Sequence, residues 1–400
     1  MVEAESMSKV NKIDDDRLSN LPDPLLCHIL SSLPTKQAVA TSILSRRWNP
    51  LWRFITSLDF DDGMSRDGSF DKESLSEENE RKYLRFVRFV NKVLFSRDKH
   101  RQIKSFRLKC YSIFICSHNI NAWVDYAIRH KVEHLDIKIP FPFLKSGIYV
   151  PSSVLTCETI VVLKLECMSF SDYAYSICLP SLKTLHLEAV FFEETYSIEL
   201  LFSGCTLLEN LVLKCYAFYN LGWQHLEIKP LPCLVSADVA TKGFPLAPLY
   251  NAKSLRLVTY DFIEEKIPVF QNLAHMELIF RMYYDWNLMM KILQNTPILR
   301  CLVIIKGLTS INEDKVEQCF AEDEVGCVSS SLRKCLVVGF EGLECEVQFV
   351  RFILQNAQVL RTIRISCSDD AFSNSDTKLD TFKNLSTCPR ISTSCELFFE

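Results

Sequence analysis

Between Leu18 and Trp52 the chain sets apolar residues at helical spacing in three runs separated by prolines. In the first run Leu25, Leu26, Ile29, Leu30 and Leu33 recur at steps of one, three and four, which predicts a short helix with a broad apolar face. Asp23 is placed to cap it. Pro24 falls in its first turn, where a missing amide hydrogen costs nothing. Pro34 stops that run, and Thr35 is placed to cap a second that carries Ala38, Val39 and Ile43. Ser45 opens a third, with Trp48, Leu51 and Trp52 on one side, while Arg46 and Arg47 face acidic groups of a partner or of the chain itself. Three such pieces bury too little of one another to stand alone, so the stretch predicts a docking unit whose apolar surface awaits a partner.

Farther along, the period changes from helical to strand-like. Short apolar–polar–apolar triplets recur as FRL (Phe106–Leu108), LDI (Leu135–Ile137), LKL (Leu163–Leu165), LHL (Leu185–Leu187) and LVL (Leu211–Leu213). They continue as LRL (Leu255–Leu257), MEL (Met276–Leu278), LVI (Leu302–Ile304), LVV (Leu336–Val338) and IRI (Ile363–Ile365). The steps between them are 29, 28, 22, 26, 44, 21, 26, 34 and 27 residues, and Ala237-Asp238-Val239 divides the longest. An L-x-x-L-x-L core at such steps resembles leucine-rich repeats. One strand per repeat then joins a parallel sheet, with the outer pair of each triplet inward and the middle residue on the concave face. Those middle residues are Arg107, Asp136, Lys164, His186, Val212, Arg256, Glu277, Val303, Val337 and Arg364, a mixed-charge surface suited to a protein target. Asp136, Lys164, His186, Arg256, Glu277 and Arg364 are the candidate target-binding residues. Helical patterns at 121–129, 286–293 and 348–354 lie between strands.

Composition narrows the function. A net charge of −4 and a pI near 6.1 argue against a nucleic-acid or anionic-membrane surface. The polar, acidic start and the lack of a long apolar run lead us to expect a cytoplasmic or nuclear protein that does not enter a membrane. The 17 cysteines form no close pair of the zinc-knuckle type, and many sit among alternating apolar residues as small hydrophobes. Residues 59–80 are acidic and aperiodic, predicting a flexible linker, and the aspartates there lack calcium-loop spacing. His130-Lys-Val-Glu-His134 matches a zinc-hydrolase pattern, but it runs at once into a strand, so no metal site is expected. Neither a phosphate-binding loop nor a nucleophile elbow is present, so no cofactor and no catalytic residue are expected.

LPDPLLCHILSSLP followed by TKQAVATSILSRRWNPLW resembles the F-box, with its LPxxLLxxILxxLP opening and S-x-RW ending. That resemblance implies a three-helix unit binding the Skp-family adaptor and, through it, a cullin. It assigns the adaptor contact to Leu21, Pro22, Leu25, Ile29, Leu30, Leu33, Pro34, Val39, Leu44, Trp48, Leu51 and Trp52. Pro50 departs from the pattern and is expected near the first turn of the third helix. LRKCLVVGFEGLECEVQFVRFILQNAQVLRTIRIS and the terminal CPRISTSCELFF resemble the FBD domain of plant F-box proteins, although CVSSS replaces the usual lead-in. Residues 366–381 read as a polar loop before a last strand near Cys395–Phe399.

The expected architecture is α/β: an F-box at 16–58 after a disordered 1–15, the linker at 59–80, repeats at 81–326, and an FBD segment at 327–400 continuing the solenoid. The implied function is substrate recognition in a Skp–cullin–F-box ubiquitin ligase, acting by tethering an unknown target and not by catalysis. The alternative is a non-catalytic interaction scaffold without ubiquitination targets.

Overall fold

The computed structural model describes residues 18, 20–64, 76–140, 148–171, 176–214, 227–240, 244–259, 267–281, 286–306, 326–367 and 375–400. Helices α1 (Asp23–Leu30) and α2 (Thr35–Ala40) are followed by short 3-10 turns at Thr41–Ile43 and Leu51–Phe54. The third predicted helix is therefore a tight turn. Pro50 immediately precedes its 3-10 segment and cannot donate to an α-helical ladder there. Ser45 does cap this region, its Oγ accepting the Trp48 amide at 3.4 Å.

The chain then passes directly into β1 (Ser57–Asp61), which precedes α3 (Glu77–Ser96) and β2 (Ser105–Lys109). Next come α4 (Ser117–Arg129), β3 (His134–Lys138), α5 (Ser152–Leu155), β4 (Val162–Glu166), β5 (Ser169–Phe170), β6 (Thr184–Glu188) and β7 (Phe191–Phe192). They lead to α6 (Thr195–Gly204), β8 (Asn210–Lys214), β9 (Ser236–Val239), β10 (Ser254–Thr259), β11 (His275–Phe280), α7 (Trp286–Gln294) and β12 (Cys301–Lys306). The last stretch holds α8 (Gly326–Ser330), β13 (Lys334–Phe340), α9 (Glu344–Asn356), β14 (Thr362–Cys367), α10 (Ser375–Ser386) and β15 (Glu396–Phe399).

Among the described residues, 13 strands form one parallel sheet in chain order, while β5 and β7 pair separately. A parallel sheet whose strands follow chain order is the product of one repeated crossover, which is the physics of a solenoid. The apolar pair of each triplet is buried, as with Leu163 and Leu165 or Leu185 and Leu187, and the core runs without a break from α1 to β15. Ala237-Asp238-Val239 takes its place as β9 between β8 and β10.

Three expectations are corrected here. Leu58-Asp59-Phe60 is a further repeat triplet, in register with Phe106-Arg107-Leu108. The expected linker thus begins inside a strand, and its end, Glu77–Glu80, is the first turn of α3, capped by Ser76 and favoured there by carboxylates near the helix N-terminus. Its middle, 65–75, lies outside the described residues, as does 1–15. The acidic stretch is therefore an excursion between β1 and α3 and does not separate the docking unit from the sheet.

In β13 the buried pair is Cys335 and Val337, and Leu336 takes the outward row opposite Val303 and Arg364. The triplet is one residue earlier than LVV suggested, because Cys335 serves as the apolar partner and a one-residue slip exchanges the faces. Gly339, at φ +77, accommodates the register shift that follows, and a Cβ there would press on Lys306. Finally, part of the expected 366–381 loop is helical. α10 packs on β15, with Phe382 stacked on Phe399 at 4.1 Å and Asn384 accepting from Arg351 at 2.9 Å.

Candidate functional site

The docking unit divides its apolar residues between two faces. Leu26 and Leu30 of α1, Ala38 of α2, and Trp48, Leu51 and Trp52 turn into the core shared with the sheet. Leu25 (51% exposed), Ile29 (38%), Ile43 (86%) and Leu44 (63%) turn to solvent. Residues 26 and 30 are four apart, as are 25 and 29, so one helix supplies an inner and an outer stripe. Leu21, Leu33 and Val39 are partly buried at the edge, while Pro22 and Pro34 are exposed.

This partition corrects part of the sequence assignment. Leu30, Trp48 and Trp52 are buried and hold the unit together, and Leu51, also buried, lines a cleft beside α1. The sequence pattern puts Ile43 in the second helix with Ala38 and Val39. The helix ends at Ala40, and the tighter 3-10 turn swings Ile43 outward. The break in helical pitch was not visible in the residue spacing.

Local polar bonds fix this face to the sheet. Asp23 is not a cap, since Pro22 occupies that position. Its carboxylate instead accepts from Arg47 at 2.7 Å, and Arg47 also bonds the Leu21 carbonyl. The Thr35 hydroxyl, expected to cap α2, is buried and accepts the Asp59 amide of β1 at 2.7 Å. The Ser31 hydroxyl donates to the Cys27 carbonyl at 2.8 Å and accepts the Thr56 amide at 3.2 Å.

The outer face of the sheet is the second surface. Asp136, Lys164, His186, Arg256, Glu277 and Arg364 all fall in one row across the strands, with Asp59 at its start. Much of that row neutralises itself. Arg107 lies between Asp59 (3.1 Å) and Asp136 (3.7 Å), and Arg256 between Asp238 (2.9 Å) and Glu277 (2.9 Å). The next row adds Lys109–Asp61 (3.2 Å) and Lys138–Glu166 (3.6 Å). Arg364 pairs with Glu400 and lies 4.9 Å from the Phe398 ring centroid. Burial lowers the pKa of His186 below its ordinary value, with Glu188 opposing the shift and Lys214 and Lys164 adding to it. Toward β12 and β13 the same face becomes apolar, with Val303, Ile305, Leu336 and Val338 half-buried.

His130 and His134 do not share a helix. His130 closes α4 and stacks on Tyr126 at 4.1 Å. Lys131, at φ 58, then turns the chain away, and His134 opens β3. No cluster of metal-ligating side chains occurs among the described residues. Among them also, no helix is long and apolar enough to cross a membrane. Burial raises the pKa of the thiols of Cys110, Cys205 and Cys335, that of Cys205 to about 12, which suits packing and not nucleophilic chemistry.

Family models match three segments of this chain. They are the F-box domain at residues 18–56, the At1g61320/AtMIF1-type LRR domain at 95–227, and FBD at 324–365. Among curated proteins, an F-box/FBD/LRR-repeat protein of Arabidopsis thaliana is 27% identical over 447 residues, covering 96% of this chain and all of the relative. An FBD-associated F-box protein of the same plant is 28% identical over 438 residues with the same coverage. An F-box/LRR-repeat protein, also from Arabidopsis thaliana, is 32% identical over 267 residues, covering 64% of this chain and 48% of the relative.

Proposed function

We propose that this chain, a member of the F-box proteins with leucine-rich repeats and an FBD segment, is the substrate-recognition subunit of a Skp–cullin–F-box ubiquitin ligase. The observation that carries the reading is the exposure of Leu25 and Ile29 along one side of α1, and of Ile43 and Leu44 in the turn after α2, all on the segment that the F-box model matches. Large apolar side chains left exposed on a folded surface are the anchors of a protein interface. In this reading they dock the Skp-family adaptor, which links the chain to a cullin. The outer face of the sheet holds a target protein.

The chain supplies no reacting group. It acts by raising the concentration of the target lysine beside the transfer machinery, which needs simultaneous engagement of both surfaces and a fixed geometry between them. The bond between Thr35 and β1 and the continuous core support that fixed geometry. The proposed location is the cytoplasm, the nucleus or both.

The test is a titration of the purified chain with a purified Skp-family adaptor. Tight binding is expected for the wild type and its loss for Leu25→Asp and Ile43→Asp. Undiminished binding by both variants would overturn the reading. Reconstituted ubiquitination of a bound target separates a ligase subunit from a scaffold that binds adaptor alone.

A further inference from the structure

Beside its outward apolar stripe, α1 carries a second flank. Cys27, His28 and Ser31 wall a cleft of about 450 Å³, closed on the other side by Leu51, Phe54 and Arg101. A cavity of this size is within the range that holds a few side chains of a ligand. Leu51 and Phe54 give it apolar walls. The Arg101 guanidinium lies over the Phe54 ring, 5.6 Å from its centroid, and forms no ion pair among the described residues. The carboxylate at the rim, Asp23, is already engaged by Arg47. Ser31 is engaged too, by the Thr56 amide and the Cys27 carbonyl. The cleft therefore presents one uncompensated cation over an apolar base, with the neighbouring acid neutralised.

We propose that this cleft is a second subsite of the docking unit, which receives an acidic side chain flanked by an apolar one from the adaptor polypeptide. The complement of a guanidinium held on an aromatic ring is a carboxylate on an apolar stem. A polypeptide is the fitting source because the cleft opens one helix flank away from Leu25 and Ile29. A helix with its side chains is about 10 Å across, so a segment crossing α1 reaches both. The inference rests on the reading that the Leu25 stripe docks the adaptor, and it adds an electrostatic contact to that apolar one.

The experiment titrates adaptor into the full chain at low and high salt, for wild type, Arg101→Glu, Arg101→Lys and Leu25→Asp. Arg101→Glu is expected to weaken binding about tenfold and to flatten its salt dependence, whereas Arg101→Lys keeps most of the affinity. Among the described residues the Arg101 side chain makes no hydrogen bond, while its carbonyl accepts from Arg97 and its amide donates to the Asp98 carbonyl, so an unchanged thermal melt is expected. Wild-type affinity in Arg101→Glu, alongside lost binding in Leu25→Asp, overturns the cleft and leaves the docking stripe standing. Retained binding in Leu25→Asp instead overturns the docking reading itself. Benzoate serves as a small-carboxylate probe. Saturable benzoate binding that Arg101→Glu removes, with adaptor affinity unchanged, would assign the cleft to a free ligand and overturn the proposal.

Discussion

The guanidinium of Arg97, at the end of α3, donates to the carbonyl of Ile55, which lies two residues before β1, at 2.8 Å through Nη2 and 3.3 Å through Nε. The same side chain donates to the carbonyls of Arg101 and Gln102, each at 2.8 Å, and is only 3% exposed. A buried cation satisfied by backbone carbonyls, with no carboxylate in its bonds, joins segments 42 residues apart. It rivets the docking unit to the first repeat.

Replacing Arg97 by Met removes those donors and leaves buried carbonyls without partners. Loss of about 3 kcal/mol of stability is expected, from charge-assisted bonds of about 1.5–3 kcal/mol and the cost of unpaired carbonyls. Urea denaturation of wild type and variant measures it, and a loss below ~0.5 kcal/mol would contradict the rivet, since that is the range of ordinary surface changes.

The outward stripe of α1 and the buried side of the docking unit make opposite predictions. Leu25→Asp is expected to leave the melting temperature nearly unchanged while removing adaptor binding. Trp48→Ala, by contrast, is expected to cost about 3–5 kcal/mol through a core cavity. Paired thermal melts and titrations distinguish loss of contact from loss of fold, which a binding assay on Trp48 alone could not do.

The register of β13 is testable with neighbours. Leu336→Glu places a carboxylate on the outer row beside Arg364 and is expected to be tolerated, within about 1 kcal/mol. Val337→Glu buries the same charge in the core and is expected to unfold the C-terminal strands, since an unpaired buried charge costs several kcal/mol or more. Circular dichroism melts of the two variants are expected to differ sharply, and the reverse order of stability would favour the other register.

Burial lowers the pKa of His186, with Glu188 partly offsetting the effect. The unfolded chain therefore takes up that proton first, at an ordinary histidine pKa of about 6.5. Stability from this residue is full above that value and declines as pH falls through it toward the lower folded pKa. The wild type is expected to lose stability between pH 7.5 and pH 5.5 by more than His186→Gln does, a range chosen to bracket about 6.5. Parallel pH-dependent denaturation curves for the two proteins would remove His186 from the effect.

Thiol labelling separates packed from accessible cysteines. Cys116, Cys178 and Cys233 are exposed, whereas Cys205 is buried with its thiol raised to about 12. Native alkylation near pH 8, followed by peptide mass spectrometry, is expected to modify the first three and to spare Cys205 until the chain is denatured. Rapid native labelling of Cys205 would mean that this part of the core opens readily.

The residue pattern by itself settled the repeating strands and the first two helices of the docking unit, but not the tight turn in place of its third helix, nor β1, α3 and α10. Helical spacing in 18–52 and the recurring L-x-L triplets are local signals, because the periods of helix and strand are properties of a few consecutive residues. They sufficed for the docking unit, the parallel sheet in chain order, and the weak strand at Ala237–Val239. The motifs also carried the family resemblance. What they could not decide was which way each face turns. Leu25 and Leu26 are neighbours in one apolar run, yet one faces water and the other the core, because that choice depends on packing partners many residues away. The same holds for Leu336 against Val337, where pairing with β12 and β14 selects the row. Asp59 opens an acidic run in the sequence, yet in the fold its amide meets Thr35 and its carboxylate meets Arg107. Arg97 carries no sequence signal at all, since its partners are carbonyls that every residue possesses. Tertiary structure alone joined the docking unit to the repeats, because buried backbone groups must find partners wherever the fold brings them.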